Sequence, residues 1–187
     1  MVMISSADGK TTQGNNPNVY LWTSPEDQKF FFSLIKKNNL IVMGRETYEA
    51  SKKVIKLEEK KLRIVLTRNQ KKYLKESING QLEFSNNSPE NLIKRMSGLG
   101  YKKMLLVGGG TINGLFLKQN LVDEFYLTVE PKIFGTGKDI VAGQLLNTKL
   151  QLVSIKKLNK IGTILLRYTV IPVKTGIQKY GFPPSRE

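Results

Sequence analysis

Leu40-Ile41-Val42-Met43-Gly44-Arg45-Glu46-Thr47 decides how the chain is read. Leu40–Met43 leaves no polar face, and the run is too short for a buried helix. It reads as a strand covered on both sides, the kind found in parallel sheets that carry helices on both faces. Gly44 ends it, and Glu46–Lys56 has helical composition. Two further apolar strands run into turn residues. Leu62–Thr67 runs as a strand into Arg68-Asn69, and Met104–Val107 runs into Gly108-Gly109-Gly110-Thr111 and a helix expected through Leu117.

Working outward, Met1–Ser5 reads as a first strand and Asp8-Gly9 as a turn. Ser24-Pro25-Glu26-Asp27 opens a helix: Ser24 caps, Pro25 suits the first helical position, and Asp27 stands three residues after the cap. Phe30, Phe31, Leu34 and Ile35 form its apolar face. Leu82–Phe84 is a further strand, Pro89–Leu99 a helix and Asp123–Val129 a strand. Gln151–Leu158 and Gly162–Val170 close the chain as an antiparallel hairpin. The fold class is α/β, with a mostly parallel sheet and a C-terminal antiparallel hairpin. Residues 1–170 form one domain; 171–187, punctuated by Pro172, Gly176, Gly181, Pro183 and Pro184, is expected to be a disordered tail.

The chain has 187 residues, 40% apolar and 24% charged, with Cys 0 and His 0. Those zeros exclude disulfides, a thiol nucleophile, a Ser-His-Asp triad and a thiolate or imidazole zinc site, so no metal is expected. Lys+Arg 30 against Asp+Glu 15 gives +15, which favours anionic partners. The lysine pairs are scattered and do not interleave with aromatics, so a single-strand nucleic-acid platform is not expected. No apolar run is long enough to span a membrane, and Met1–Lys10 is not a signal sequence; a cytoplasmic location is expected.

In open α/β sheets, ligands sit outside the carboxyl ends of the strands. Gly44-Arg45-Glu46-Thr47 offers close backbone approach, helix N–H groups and a forked donor, and equally reads as a turn with a surface arginine. Gly108-Gly109-Gly110-Thr111 offers N–H groups that can line an anion nest, though it is neither GxGxxG nor a Walker loop. Thr67-Arg68 offers a hydroxyl and a guanidinium suited to the phosphate that separates NADP from NAD. The three together point to a dinucleotide.

Ser5-Ser6-Ala7-Asp8-Gly9-Lys10, Met43-Gly44-Arg45-Glu46-Thr47-Tyr48-Glu49, Val107-Gly108-Gly109-Gly110 and Thr128-Val129-Glu130-Pro131-Lys132-Ile133-Phe134-Gly135-Thr136-Gly137 resemble the dihydrofolate-reductase-like family. The closer likeness is to its riboflavin-biosynthesis branch, the RibD C-terminal reductase domain. The resemblance covers about 1–170. It implies a three-layer αβα fold and NADPH. Gly44, Arg45 and Thr47 would hold cofactor phosphates, and Thr67 and Arg68 would lie near the 2′-phosphate. Gly108, Gly109, Gly110 and Thr111 would pass under the pyrophosphate and nicotinamide ribose. Glu130 would lie near the substrate pocket, the Asp8-Gly9-Lys10 loop would cover the reacting centre, and Ser6 would bind substrate. The implied reaction reduces the ribose of a 5-amino-6-(5-phosphoribosylamino)uracil to ribityl, and the implied assembly is a homodimer.

That chemistry needs a carboxylate beside a developing cation. Asp8 is the first candidate, although Asp8-Gly9 also reads as a plain turn. Lys10 would pair a substrate phosphate. Asp27 lies on the side of Phe30 and Phe31, where shielding would raise its pKa and make it a proton donor; it also reads as a capping carboxylate. Trp22 would flank a planar ring or staple the helix start. With no His or Cys, the chain lacks the zinc deaminase signature of bifunctional relatives. Two alternatives stand beside the reductase of riboflavin type. One is a dihydrofolate or pterin-type reductase, favoured by an acidic residue in a closed apolar pocket. The other is a non-catalytic nucleotide- or nucleic-acid-binding protein.

Overall fold

Every residue of Leu40–Gly44 is buried, as a strand covered on both faces must be. The computed structural model describes residues 1–172. In chain order these form β1 (Val2–Ser6), a 3₁₀ turn (Val19–Leu21), α1 (Pro25–Lys37), β2 (Leu40–Gly44) and α2 (Arg45–Ser51). There follow β3 (Leu62–Leu66), a 3₁₀ segment (Gln70–Glu76), β4 (Leu82–Ser85), α3 (Pro89–Gly98), β5 (Leu105–Leu106) and α4 (Gly110–Lys118). β6 (Glu124–Glu130), β7 (Lys149–Lys157) and β8 (Ile164–Ile171) complete the fold.

The strands form two four-stranded sheets, β4-β3-β2-β5 and β1-β6-β8-β7. All pairings in the first are parallel. In the second, β1 is parallel to β6, while β8 is antiparallel to both β6 and β7. Strand side chains alternate between faces, and two cores follow from that. Leu40, Val42, Ile64 and Leu66 face Leu92, Ile93 and Met96 of α3 and Phe116 and Leu117 of α4. Ile41, Met43, Val65 and Phe84 face the other way, against Phe30, Phe31, Leu34 and Ile35 of α1 and Tyr48 of α2. Met3 packs against the first core and Val2 joins the second, so β1 serves both. The result is the expected three-layer αβα arrangement.

Local chemistry sets the helix starts. Ser24 and Ser88 cap α1 and α3, each accepting from the backbone N–H three residues on and each followed by proline. In the second core Tyr73 stacks on Phe84 at 4.7 Å, and Tyr48 meets Phe84 edge-on at 5.1 Å. Both phenols reach carboxylates: Tyr48 donates to Glu76 at 2.7 Å and Tyr73 to Glu49 at 2.8 Å.

Three expectations change. The helix expected over Glu46–Lys56 ends at Ser51; Val54 beyond it is 53% exposed, while Ile55 and Leu57 pack against the second core from outside the helix. Gln70–Glu76 coils as a 3₁₀ segment whose anchor is Tyr73, a residue with no periodic partners in sequence. Ile171, assigned to the tail, is the last residue of β8; residues 173–187 lie outside the described ones. Phe116→Ala, at a site with no solvent exposure, is expected to cost about 3–5 kcal/mol in urea unfolding, against under ~1 kcal/mol for Val54→Ala.

Candidate functional site

Parallel pairing places the carboxyl ends of β2, β3 and β5 along one edge. Gly44 is in register with Leu66, and Val42 with Leu106. The Gly44 N–H donates to the Gly108 carbonyl at 2.7 Å, and Thr67, one residue past β3, donates its N–H to Ser85 at the end of β4. The three sequence stretches expected to hold a dinucleotide therefore meet. Glycine is required at Gly108, where φ is +91° and a Cβ would stand 2.9 Å from Met3 Sδ. The Gly108–Gly109 peptide is cis. Gly109 approaches Thr47, with an ideal Cβ 3.3 Å from its Oγ1.

The N-caps of α2 and α4 are Gly44 and Gly109, and neither helix start has a side-chain cap. Serines cap α1 and α3, so among the described α-helices only those at this edge leave their first N–H groups without a side-chain cap. Arg45 stands half-exposed and pairs with Glu46 at 3.2 Å. Arg68 is exposed and forms no ion pair among the described residues. Thr67 is buried and spends its Oγ1 on the Asn69 N–H at 3.2 Å, which shapes the turn that presents Arg68. Thr111 is exposed on the first turn of α4.

Sequence reading missed two partners of this edge. Asn113 has no solvent exposure; its Nδ2 donates to the Ile140 carbonyl at 2.8 Å, and its backbone N–H donates to Gly109. Lys138 reaches Glu46 at 2.6 Å. Asn113 ties the segment after β6 to α4, and Lys138 ties it to the first turn of α2. An Asn inside an apolar helix is a readable signal, whereas the Lys138 pairing spans 92 positions and is not.

β1 links this edge to a second group. Met3 touches Gly108 and is in register with Leu127; the next residue, Ile4, is in register with Thr128. Asp27, in the first turn of α1, lies close to the Thr128 hydroxyl and is only 6% exposed. Burial pushes its pKa from 3.8 up to about 6, Glu130 adds to the rise, and Thr128 opposes it. Trp22 is buried and meets Phe134 edge-on at 5.0 Å, walling this region beside the start of α1.

The structure gives four expected site residues a different part. The Asp8 carboxylate accepts from Ser6 Oγ at 2.5 Å and from the backbone N–H groups of Phe134 and Gly135 at 3.1 and 2.7 Å. The Ser6 hydroxyl and these amides hold its pKa down at about 2, so it clamps two loops and stores no proton near neutrality. Ser6 also accepts from the Lys10 N–H at 3.0 Å. Lys10 Nζ pairs with Asp139 at 2.7 Å. Glu130, 3% exposed, accepts from the Ser24 N–H at 2.7 Å and from Thr163 Oγ1 at 2.6 Å. It is a strut joining β6, the start of α1 and the turn before β8. These four groups are occupied by the protein itself, which sequence could not show.

A carboxyl whose pKa is raised by folding binds its proton more tightly in the folded state. Its stabilising effect is complete below the unfolded value of 3.8 and is lost as pH rises to about 6. Asp27→Asn removes that dependence. Relative to the parent, the variant should gain on the order of 2 kcal/mol between about pH 4 and pH 7, read from urea midpoints; a constant difference would place Asp27 in water.

Among curated proteins, the chain is 30% identical over 100 residues to the bifunctional dihydrofolate reductase-thymidylate synthase of Plasmodium vinckei, a match covering 51% of this chain and 52% of that one. It thus spans about half the length of that relative. Among solved structures, a putative riboflavin biosynthesis protein from Shewanella sp. PV-4 superposes with a TM-score of 0.73 at 18% identity, over 91% of this chain and 97% of that one. A diaminohydroxyphosphoribosylaminopyrimidine deaminase/5-amino-6-(5-phosphoribosylamino)uracil reductase from Thermotoga maritima gives 0.68 at 16% identity, over 90% of this chain and 55% of that one. These structures share the fold. The RibD C-terminal domain model matches residues 1–161, from β1 into the turn after β7. The motifs that meet around Gly44 and Gly108 all fall inside that match, and the chain belongs to the RibD C-terminal domain family.

Proposed function

We propose that this chain is an NADPH-dependent reductase acting on a 5-amino-6-(5-phosphoribosylamino)uracil or a close relative of that substrate. One observation carries the reading: a buried carboxyl poised near neutral pH stands one short row of strand residues from a glycine-lined edge with two uncapped helix starts. Bound at that edge, NADPH would supply the hydride. The N–H groups of α2 and α4 and the Arg45 guanidinium receive phosphate oxygens. Arg68, exposed beyond β3, meets the 2′-phosphate. Asp27 holds a proton and delivers it to the nitrogen next to the carbon that is reduced. Trp22 and Phe134 exclude water from one side. With Cys 0 and His 0, these 187 residues carry no zinc deaminase signature of their own.

A second reading is a pterin or dihydrofolate-type reductase. It is favoured by the same Asp27, buried at the start of α1 and set against Thr128. The reductase reading goes with a homodimer working in the cytoplasm; among the described residues no helix is long and apolar enough to cross a membrane.

The test titrates NADPH and NADH against the fluorescence of Trp22, the chain's one tryptophan, and then follows NADPH oxidation with each of the two substrates. Saturable NADPH binding with turnover of the uracil is expected; turnover of dihydrofolate alone would select the second reading. Absence of NADPH binding would leave only the non-catalytic alternative. Arg68→Ala should weaken NADPH about tenfold or more, the worth of a charge-assisted contact, and leave NADH nearly unchanged. Equal weakening would remove Arg68 from the 2′-phosphate. Asp27→Asn should lower kcat by about a hundredfold while NADPH binding is retained.

A further inference from the structure

The amino ends of the parallel strands form the pole opposite the glycine-lined edge, the length of β2 away, on the order of 15 Å. A cavity of about 410 Å³ opens there, between the turn from α1 to β2 (residues 37–39) and the turn from α3 to β5 (residues 99–103). Small-molecule sites span about 300–1,000 Å³, so its size suits such a ligand. Lys37, Lys102 and Lys103 stand around it, and no acidic residue lines it. None of the three forms an ion pair among the described residues. Tyr101 and the exposed Leu99 supply its apolar wall.

Lysines gather at helix C-termini for a reason of their own, since they can bond the last carbonyls and offset the helix dipole. Here the chain bonds those carbonyls itself. Asn38 Nδ2 donates to the Leu34 carbonyl at 2.8 Å, and its backbone N–H donates to Ile35. At the end of α3 the N–H groups of Leu99, Gly100 and Tyr101 donate to the carbonyls of Arg95, Ser97 and Met96. Charge counting points the same way. Two helix C-termini bring about −0.5 each against three lysines, which leaves roughly +2 around the cavity. The excess continues on the next strand. Lys61 and Arg63, each 5% exposed, share the Glu58 carboxylate at 3.0 and 3.7 Å, and the buried Arg63 Nη1 has no acceptor among the described residues. The Leu62 N–H donates to the Asn39 carbonyl at 2.8 Å, which sets this cationic pair beside the cavity wall.

We propose that this cavity binds a small anion bearing two or more linked phosphoryl groups, of the pyrophosphate or nucleoside diphosphate class. Ammonium groups on flexible stems suit phosphate as point charges, and three of them around one concavity can each meet a different phosphoryl oxygen. An anion of that class answers the whole charge excess. A ring carried on the phosphates finds the wall made by Tyr101 and Leu99. The enclosed shape favours a small molecule over a nucleic-acid strand, which needs a groove that tracks its backbone and several aromatic platforms for its bases. The cavity shares no residue with the glycine-lined edge, so the proposal stands apart from the reductase reading.

The test uses the full chain without cofactor. The chain has no cysteine, so Leu99→Cys supplies a single thiol at the cavity for an environment-sensitive fluorophore. Inorganic pyrophosphate and ADP are titrated in about 0.15 M salt, where diffuse surface attraction is screened beyond roughly 8 Å, with sulfate at matched ionic strength alongside. A saturable change with pyrophosphate, with ADP or with both, and none with sulfate, is expected. Lys37→Ala combined with Lys102→Ala and Lys103→Ala should weaken binding about tenfold or more, the worth of three exposed charge contacts. Lys156→Ala combined with Lys160→Ala, on the closing hairpin, should change it less than about twofold. No saturable change, an equal response to sulfate, or equal weakening by the two sets of substitutions overturns the proposal. A second readout needs neither label nor variant. In the parent chain, pyrophosphate should slow acetylation of Lys37, Lys102 and Lys103 by acetic anhydride, read by peptide mass, and leave Lys156 and Lys160 at their original rates. Unchanged rates at the three cavity lysines overturn the proposal.

Discussion

A parallel strand buried on both faces cannot stand alone, because each face needs its own apolar cover and each edge its own hydrogen-bonding partner. Leu40–Gly44 is such a strand, and its demands propagate. Its two faces call for helices on both sides. Its edges are filled by β3 and β5 running the same way. Running the same way is what matters for the site, because it sends Gly44, Thr67 and Gly108 to one end of the sheet. The bond from the Gly44 N–H to the Gly108 carbonyl is the local form of that constraint. Had the strands been antiparallel, the same residues would lie at opposite ends.

The carboxylates show how environment divides labour among identical groups. Asp8 and Asp27 lie near the ends of neighbouring elements. Asp8 is open to water and accepts from a hydroxyl and two backbone amides, so it stays ionised and works as a clamp. Asp27 is shut away from water, where its charge is disfavoured and a proton is retained close to neutral pH. Glu130 takes a third course, with both oxygens tied into the frame that positions α1. Of the three, Asp27 is the group that solvent and partners leave least satisfied as an ion.

Much of this was legible beforehand. The apolar runs, the Ser24-Pro25 start and the closing hairpin all appear as expected, since each depends on residues adjacent in sequence. The strand ends were legible for the same reason: glycine after a buried strand is a local signal. What was not legible shares a cause as well. Lys10, Ser6, Asp8 and Glu130 have partners such as Asp139, Phe134 and Thr163, and no local pattern announces those contacts. α2 stops at Ser51, and Ile55 and Leu57 reach the second core from outside the helix, a fact of packing rather than propensity.

Sequence by itself thus determined the order and kind of the elements, the family to which the motifs belong and the exclusion of thiol and imidazole chemistry, because composition and short-range periodicity are properties of the chain. The tertiary structure alone decided which polar groups remain available. A side chain's pKa and its hydrogen-bonding capacity depend on burial and on partners distant in sequence. The same reason governs Lys37, Lys102 and Lys103. In sequence they are scattered charges, and only the pairing of β2 with β5 sets them around one cavity.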